Sequence, residues 1–343
     1  MRVAELFEYR RFRIVEQELE EPGPGEVRVR VEAVGICGSD LHHFSDGHIG
    51  GIVTTYPLVG GHEPAGQVVK TGPGVTGWAP GDQAALEPSQ FCYHCEFCRR
   101  ALYNLCSNLK FLSATPYPGF FCDYINLPTH NLLPLPPGVS LEEATLFEPL
   151  AIALHSIKPV APQIGETAAV FGAGPIGLLT VFVLKLAGVS RVWVVEPVAH
   201  RREMARQMGA EAVIDPTAAD PIRQIRSDTG GRGVDVALDC AAKGETLNQA
   251  LRVVRGGGRF VLTGIPSGSH YHLDVDAMRL EEIAFFNVRR SNAESELALE
   301  LVGQHRARLA PLLTHRVPLE DIQRGFETLE RYEDGVGKML IKP

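Results

Sequence analysis

Hydrophobic and polar residues alternate with period two across residues 26–38 (EVRVRVEAVGICG), which sets Val27, Val29, Val31 and Ala33 on one face of a strand. Short strand segments at 66–70 and 83–87 follow among turn signals such as Gly72-Pro73-Gly74 and Ala79-Pro80-Gly81-Asp82. As far as about Pro137 the pattern therefore predicts small strands joined by long loops. The texture changes near Glu148, where helical spacing appears over 149–158. Beyond Gly165 strands are predicted at 168–171, 191–196, 212–215, 235–239, 259–264 and 284–288. Between them fall helices at 176–187, 199–208, 221–229 and 245–254, and a shorter segment at 276–281. Runs such as RVWVVE and VDVALD are nearly continuous in apolar β-formers, as strands buried on both faces should be. Strand alternating with helix predicts an α/β fold with a doubly wound parallel sheet. After Val288 the alternation stops; helices at 295–304 and 319–332 precede a last strand at 338–341, and this tail is expected to return to the first domain.

The apolar stretch 168–184 approaches the length of a membrane span, but Gly172, Gly174, Pro175 and Gly177 interrupt it, which suits a buried strand turning into a buried helix. Hydrophobic residues make up 45% and charged residues 22% of the 343, so the chain can bury a core and is neither disordered nor fibrous. A net charge of −8 opposes binding to nucleic-acid phosphates or an anionic membrane, and points to a small partner. The N-terminal residues carry charges every few positions and no apolar export segment, so a cytoplasmic location is expected. Four of the seven cysteines crowd into fifteen residues, a pattern of metal binding rather than of a secreted disulfide framework.

Gly172-Ala173-Gly174-Pro175-Ile176-Gly177 matches GxGxxG between a predicted strand and a predicted helix, where glycines allow a tight turn and close approach of a pyrophosphate to the helix N-terminus. Nineteen residues after Gly177, Glu196 ends the next strand, where a carboxylate accepts hydrogen bonds from ribose hydroxyls and favours NAD. Arg201 and Arg202 are the complication, since either could attract the 2′-phosphate of NADP. Cys92, Cys95, Cys98 and Cys106 (C-x2-C-x2-C-x7-C) offer four thiolates to one tetrahedral ion and leave no open position, so this zinc is structural. A ferredoxin-type iron–sulfur run would need a gap of three and a following Pro, and here the gap is seven with Ser107 next. Cys37, His62, Glu63 and Glu148 form a second candidate constellation that spacing alone does not join.

GICGSDLHHF, GGHEPAGQVV, the four-cysteine loop, FEPLAIALH, FGAGPIG and LTHRVPLEDIQRGFETL occur in order along essentially the whole chain. Together they resemble the zinc-dependent medium-chain dehydrogenases, within them the sorbitol (polyol) dehydrogenase branch, to which the segment SATPYPGFF is also similar. The resemblance implies a mostly β GroES-like catalytic domain (1–151), a Rossmann NAD-binding domain (152–286) and a return to the catalytic domain (287–343). It implies two zinc ions per chain, the catalytic one on Cys37 and His62, with Glu63 and Glu148 competing for the remaining protein position. Ser39 and His42 match the family's proton relay, and a homo-oligomer, dimer or tetramer, is implied. The reaction implied is oxidation of a secondary hydroxyl of a polyol or sugar derivative to a ketone, with hydride passing to NAD and zinc acting as Lewis acid.

Two substrate positions depart from the branch. Val288-Arg289-Arg290-Ser291-Asn292 stands where the branch has Phe-Arg-Tyr-x-Asn, and an aromatic position near the zinc Cys is His43. A more basic pocket would suit an anionic substrate such as a sugar-alcohol phosphate or an acidic sugar, because guanidinium grips phosphate bidentately. Against this, Arg290 can simply face solvent or pair with an acid such as Glu294. The rival readings are threonine dehydrogenase-like amino-alcohol oxidation, a non-catalytic dinucleotide-binding redox sensor, and a nucleic-acid zinc module. Cys122 and Cys240 are read as small hydrophobes.

Overall fold

The computed structural model describes Met1–Pro343 and divides into two compact units, Met1–Glu148 with Asn292–Pro343 and, between them in sequence, Pro149–Ser291. The boundaries fall after Glu148 and Ser291, within a few residues of the 151 and 286 that the family resemblance implies.

The first unit is built on a seven-stranded sheet. Its order runs Leu132–Pro134, Gln83–Leu86, Glu63–Thr71, Glu26–Gly35, Lys338–Lys342, Leu313–Pro318, with Tyr124–Pro128 also paired to Glu26–Gly35. The period-two pattern of Glu26–Gly35 is realised: Val27, Val29, Val31 and Ala33 are all buried. Because the C-terminal strand Lys338–Lys342 pairs antiparallel with Glu26–Gly35, the end of the chain lies directly beside the segment that leads to Cys37.

Several strands were not read from the sequence, among them Tyr124–Pro128 and Leu132–Pro134 of this sheet. Arg2–Glu8 and Arg11–Glu16 form an antiparallel hairpin. The second strand is largely solvent-facing, its arginines meeting Glu5 and Glu8 across the hairpin, so the charges that masked it are its own cross-strand pairs. Leu313–Pro318 is a strand parallel to the C-terminal one, within a segment where the pattern showed only a helix to follow.

The second unit is a six-stranded, all-parallel sheet in the order Ala212–Ile214, Arg191–Val195, Thr167–Phe171, Val234–Asp239, Val254–Leu262, Ala284–Asn287. Numbered along the chain this is 3-2-1-4-5-6, the dinucleotide-binding order, with its switch point at the carboxyl ends of the first and fourth strands. Val234–Asp239 is buried at every position, which explains its unbroken apolar run. Helices Pro175–Leu186, Ala199–Gln207, Pro221–Asp228 and Thr246–Val253 connect the strands.

Candidate functional site

The four-cysteine loop is assembled within the first unit, with all four Sγ atoms within 4.8 Å of one another. The separations are 3.5 Å for Cys92–Cys106, 4.0 Å for Cys92–Cys98 and 4.0 Å for Cys95–Cys106. Four thiolates at about 2.3 Å from a tetrahedral zinc lie about 3.8 Å apart, so the cage has the size of that ion. Backbone N–H groups of Cys92, Cys95 and Cys98 point at neighbouring sulfurs. The thiols are in conflict with one another. A hydrogen bond from Asn108 leads the causes that hold Cys92 at about 5, whereas burial pushes Cys98 up to about 12. A divalent cation resolves the conflict, because all four can then carry charge together.

Asn292 braces this loop: its Oδ1 accepts from the Tyr103 N–H at 2.8 Å and its Nδ2 donates to the Ala101 carbonyl at 2.9 Å. Both ends of the Asn292 amide are thus engaged by the backbone of the cysteine loop.

Cys37, His62 and Glu63 converge with ligand atoms within 4.8 Å of one another, although they come from two different segments. Cys37 is the N-cap of the helix Gly38–Ser45, and Glu63 opens the neighbouring strand Glu63–Thr71. Gly61, at φ +84°, makes the sharp approach to His62; a Cβ there would lie 2.8 Å from the Phe121 ring. His62 Nε2 is 3.4 Å from Ser39 Oγ, while Nδ1 faces Ser113 Oγ at 3.3 Å and Asp40 Oδ1 at 3.6 Å. Asp40 is itself anchored by the N–H groups of Cys37 and Gly61. Burial alone would raise the Asp40 carboxyl and lower the His62 imidazole, but their mutual attraction and these N–H bonds win, lowering the first and raising the second. A carboxylate on Nδ1 that turns Nε2 toward the other donors is the usual outer support of a metal-bound histidine.

Glu63 is fully buried and its Oε1 accepts no hydrogen bond, an orphaned acceptor on a residue that belongs to the Cys–His cluster. Its Oε2 pairs with Lys338, itself 2% exposed, from the C-terminal strand. Gly35 makes room for the pair, since a Cβ there would fall 2.0 Å from Glu63 Oε2 and 2.8 Å from Lys338 Cε. Glu148, at the start of the helix Phe147–Ile157, lies outside the group of three but senses it. Burial pushes its carboxyl up to about 8, His62 and Lys338 pull it down, and Glu63 repels it. The thiolate, imidazole and orphaned carboxylate oxygen fit a zinc ion in donor chemistry and number, with a fourth position left for substrate or a further ligand.

In the second unit the helix Pro175–Leu186 begins directly after Gly172-Ala173-Gly174. Gly177 is required by packing, because a Cβ would sit 1.9 Å from the Gly172 carbonyl oxygen. Gly174 is the opposite case: a Cβ would meet nothing within 4 Å, so backbone and helix N-terminus face open space where a pyrophosphate fits. Gly174, Pro175 and Ile176 are the partly exposed residues of the turn. Glu196, 5% exposed, accepts from the Ala173 N–H at 2.6 Å and the Val198 N–H at 2.9 Å, so its carboxylate is fixed at the rim of that turn. Arg202 is held by the carbonyls of Glu196 and Pro197 and by Asp215, and Arg201 is buried in the helix Ala199–Gln207.

His42 Nδ1 lies 2.6 Å from Asp46 Oδ2, and His43 Nδ1 lies 2.8 Å from Thr54 Oγ1. Arg289 is exposed, and Arg290 is half-buried with φ of 56°. Cys122 and Cys240 are pushed up to about 12, by burial first, and are inert thiols at neutral pH. Asp40, Ser113, Asp46 and Lys338 were not found from the sequence. Asp40 alone left a signal, three residues beyond Cys37 at the start of a helix, where an acid completes a cap.

A Cys–His–Glu cluster with the donors for a zinc ion in one unit, and a parallel sheet of dinucleotide-binding order in the other, define the class of zinc-dependent dehydrogenases. Residues 23–137 match the alcohol dehydrogenase GroES-like domain and residues 175–304 the zinc-binding dehydrogenase domain. A sorbitol dehydrogenase of Bacillus subtilis (strain 168) is 33% identical over 343 residues, covering 100% of this chain and 97% of the relative. An L-idonate 5-dehydrogenase of Vitis vinifera is 32% identical over 93% of this chain and 88% of its own. The crystal structure of a zinc-binding dehydrogenase from Sinorhizobium meliloti 1021, bound to NADP, superposes with a TM-score of 0.90 at 28% identity, covering 100% of this chain and 99% of that one. The chain belongs to the zinc-dependent medium-chain dehydrogenase family, in its sorbitol dehydrogenase-like branch. It is an alcohol/polyol dehydrogenase that uses zinc and a nicotinamide dinucleotide.

Proposed function

We propose that the enzyme oxidises a secondary hydroxyl of a polyol or sugar derivative to the ketone with NAD, on a zinc held by Cys37, His62 and Glu63 with Glu148 beside them. The observation that carries this reading is the convergence of half-buried Cys37, buried His62 and a carboxylate oxygen of buried Glu63, whose Oε1 has no hydrogen-bond partner. Zinc bound there supplies Lewis acidity to the substrate oxygen. Asp40 and Ser113 fix the His62 ring, Lys338 and Gly35 fix the Glu63 carboxylate, and Ser39, at 3.4 Å from His62 Nε2, can hold the substrate hydroxyl proton. His42, with Nδ1 engaged by Asp46, accepts that proton at Nε2 and passes it to water. Gly172, Gly174, Pro175, Ile176 and Gly177 cradle the pyrophosphate of the cofactor. The fixed carboxylate of Glu196 favours ribose hydroxyls over a 2′-phosphate and hence NAD over NADP, with Arg201 nearby.

Neutral polyols are the first substrate class, as in the sorbitol dehydrogenase relative, and an acidic sugar is the second, as the idonate dehydrogenase relative suggests. His43, Arg289 and Arg290 are the residues to separate them. The test is initial-rate reduction of NAD, with NADP in parallel, by the zinc-replete protein across sorbitol, xylitol, galactitol, idonate, galactitol 1-phosphate and threonine. Turnover of neutral polyols with NAD supports the reading; turnover of threonine alone overturns it. If only anionic polyols react, and Arg290→Tyr abolishes that preference, the arginines are substrate ligands. The free state of all seven cysteines fits a reducing, cytoplasmic setting, and a homo-oligomer follows from the family; light scattering of the purified protein reads the latter.

A further inference from the structure

We propose that Asp46 is a positioning residue for proton transfer: by accepting the Nδ1 proton of His42 it fixes the one ring tautomer whose Nε2 can take up the proton leaving the alcohol. This rests on the reading of His42 as the proton acceptor. His42 lies in the last turn of the helix Gly38–Ser45, and Asp46 caps that helix, its N–H donating to the His42 carbonyl at 2.9 Å. The same residue returns its side chain one turn along the helix, so that Oδ2 stands 2.6 Å from His42 Nδ1. Backbone and side chain of Asp46 thus close on His42 from both ends. A carboxylate has no proton to donate, so in this pair the imidazole must be the donor. The neutral ring is then protonated at Nδ1 and bare at Nε2. An acid at a helix C-terminus faces the negative end of the helix dipole, so helix stability gives no reason for Asp46 at this position; the bond to His42 does.

The side chains are 21% and 35% exposed, open enough to exchange a proton with water. The neighbouring His43 is oriented by a neutral partner, Thr54 Oγ1, and gains no such fixed role. In the oxidation direction the hydride leaves the substrate carbon for NAD, and the hydroxyl proton forms a new N–H bond at Nε2. The imidazolium so formed keeps its Nδ1–H bond to Asp46; the Nε2–H bond then breaks to water and the ring returns to its starting tautomer. No electrons are exchanged at the ring.

The test uses full-length, zinc-loaded protein labelled with 15N-histidine, the His42 ring signals being assigned by their absence from His42→Gln. Wild type is expected to show the Nδ1–H tautomer of the neutral ring. Asp46→Ala is expected to move the ring to the Nε2–H form and to lower kcat/KM for the best polyol of the panel above by about tenfold. KM for NAD and two bound zinc ions per chain stay unchanged. Asp46→Asn, which keeps an acceptor oxygen, is expected to keep the tautomer and recover part of the rate. An unchanged tautomer in Asp46→Ala, or a rate within twofold of wild type while His42→Gln is slow, overturns the role of Asp46 and leaves His42 as acceptor. A wild-type rate in His42→Gln overturns both.

Discussion

Lys338 is buried beside the carboxylate of Glu63, and burial alone would drive its proton off; the charges of Glu63, Cys37 and Glu148 outweigh this and raise its proton affinity. Lys338→Met strands Glu63 without its counter-charge. In the metal-free protein this is expected to cost about 3–5 kcal/mol of stability, and clearly less with zinc, because the cation takes over the compensation. Urea unfolding with and without zinc measures both, and equal losses would show that Glu63 does not meet the metal. The sequence was legible at this scale only where chemistry is local. Four cysteines within fifteen residues announce a cage by spacing, whereas Cys37, His62, Glu63 and Glu148 are joined only by the fold, and the resemblance was needed to name them together. Lys338 left no signal, since an isolated Lys in a C-terminal strand reads as surface until that strand is seen to pair with Glu26–Gly35. Asn292 entered through a motif as a substrate group, and its bonds to the backbone of the cysteine loop could not be read from the sequence because the two segments lie far apart in the chain.

Among elements, the parallel sheet was the most legible because its central strands Thr167–Phe171, Arg191–Val195 and Val234–Asp239 are buried almost throughout and read as unbroken apolar runs. The N-terminal hairpin was hidden by its solvent-facing strand, and Leu313–Pro318 is a short strand with only Leu313 and Val317 buried. The turn from Thr167–Phe171 into its helix makes a sharp prediction. Gly177→Ala forces a methyl against the Gly172 carbonyl at 1.9 Å, so the helix must shift and NADH binding, read by fluorescence titration, is expected to weaken about tenfold or more. Unchanged affinity would contradict the packing argument.

The strands Thr167–Phe171 and Val234–Asp239 are also tied by Asp235, whose carboxylate takes the Thr167 N–H at 2.9 Å and Oγ1–H at 2.8 Å and pairs with Arg232 and Arg255. Burial would raise its pKa, but these donors hold it far below the usual carboxylate range. A depressed folded-state pKa contributes stability above the unfolded value of about 3.9 and loses it as the pH falls toward the folded value. Asp235→Asn is therefore expected to be less stable than wild type by about 2 kcal/mol at pH 7, with the gap closing below about pH 4. Denaturant unfolding at pH 7 and pH 3 reads the difference; a gap that grows in acid would contradict the sign.

As a whole, the molecule is expected to hold two different zinc ions in its first unit, one enclosed by four thiolates and one on Cys37, His62 and Glu63 with room for a substrate. The two should separate in their response to loss. Cys98→Ser removes a buried corner of the cage and is expected to unfold the loop, lowering soluble yield and thermal midpoint, while Cys37→Ser leaves the fold intact. The most direct measurement of the central claim is the zinc content per chain of wild type and Cys37→Ser, taken with their rates of NAD reduction by sorbitol. Two zinc ions with turnover in wild type, and one zinc ion without turnover in the folded variant, is the predicted result. One zinc ion in both, or undiminished turnover in Cys37→Ser, would contradict a catalytic zinc at this site.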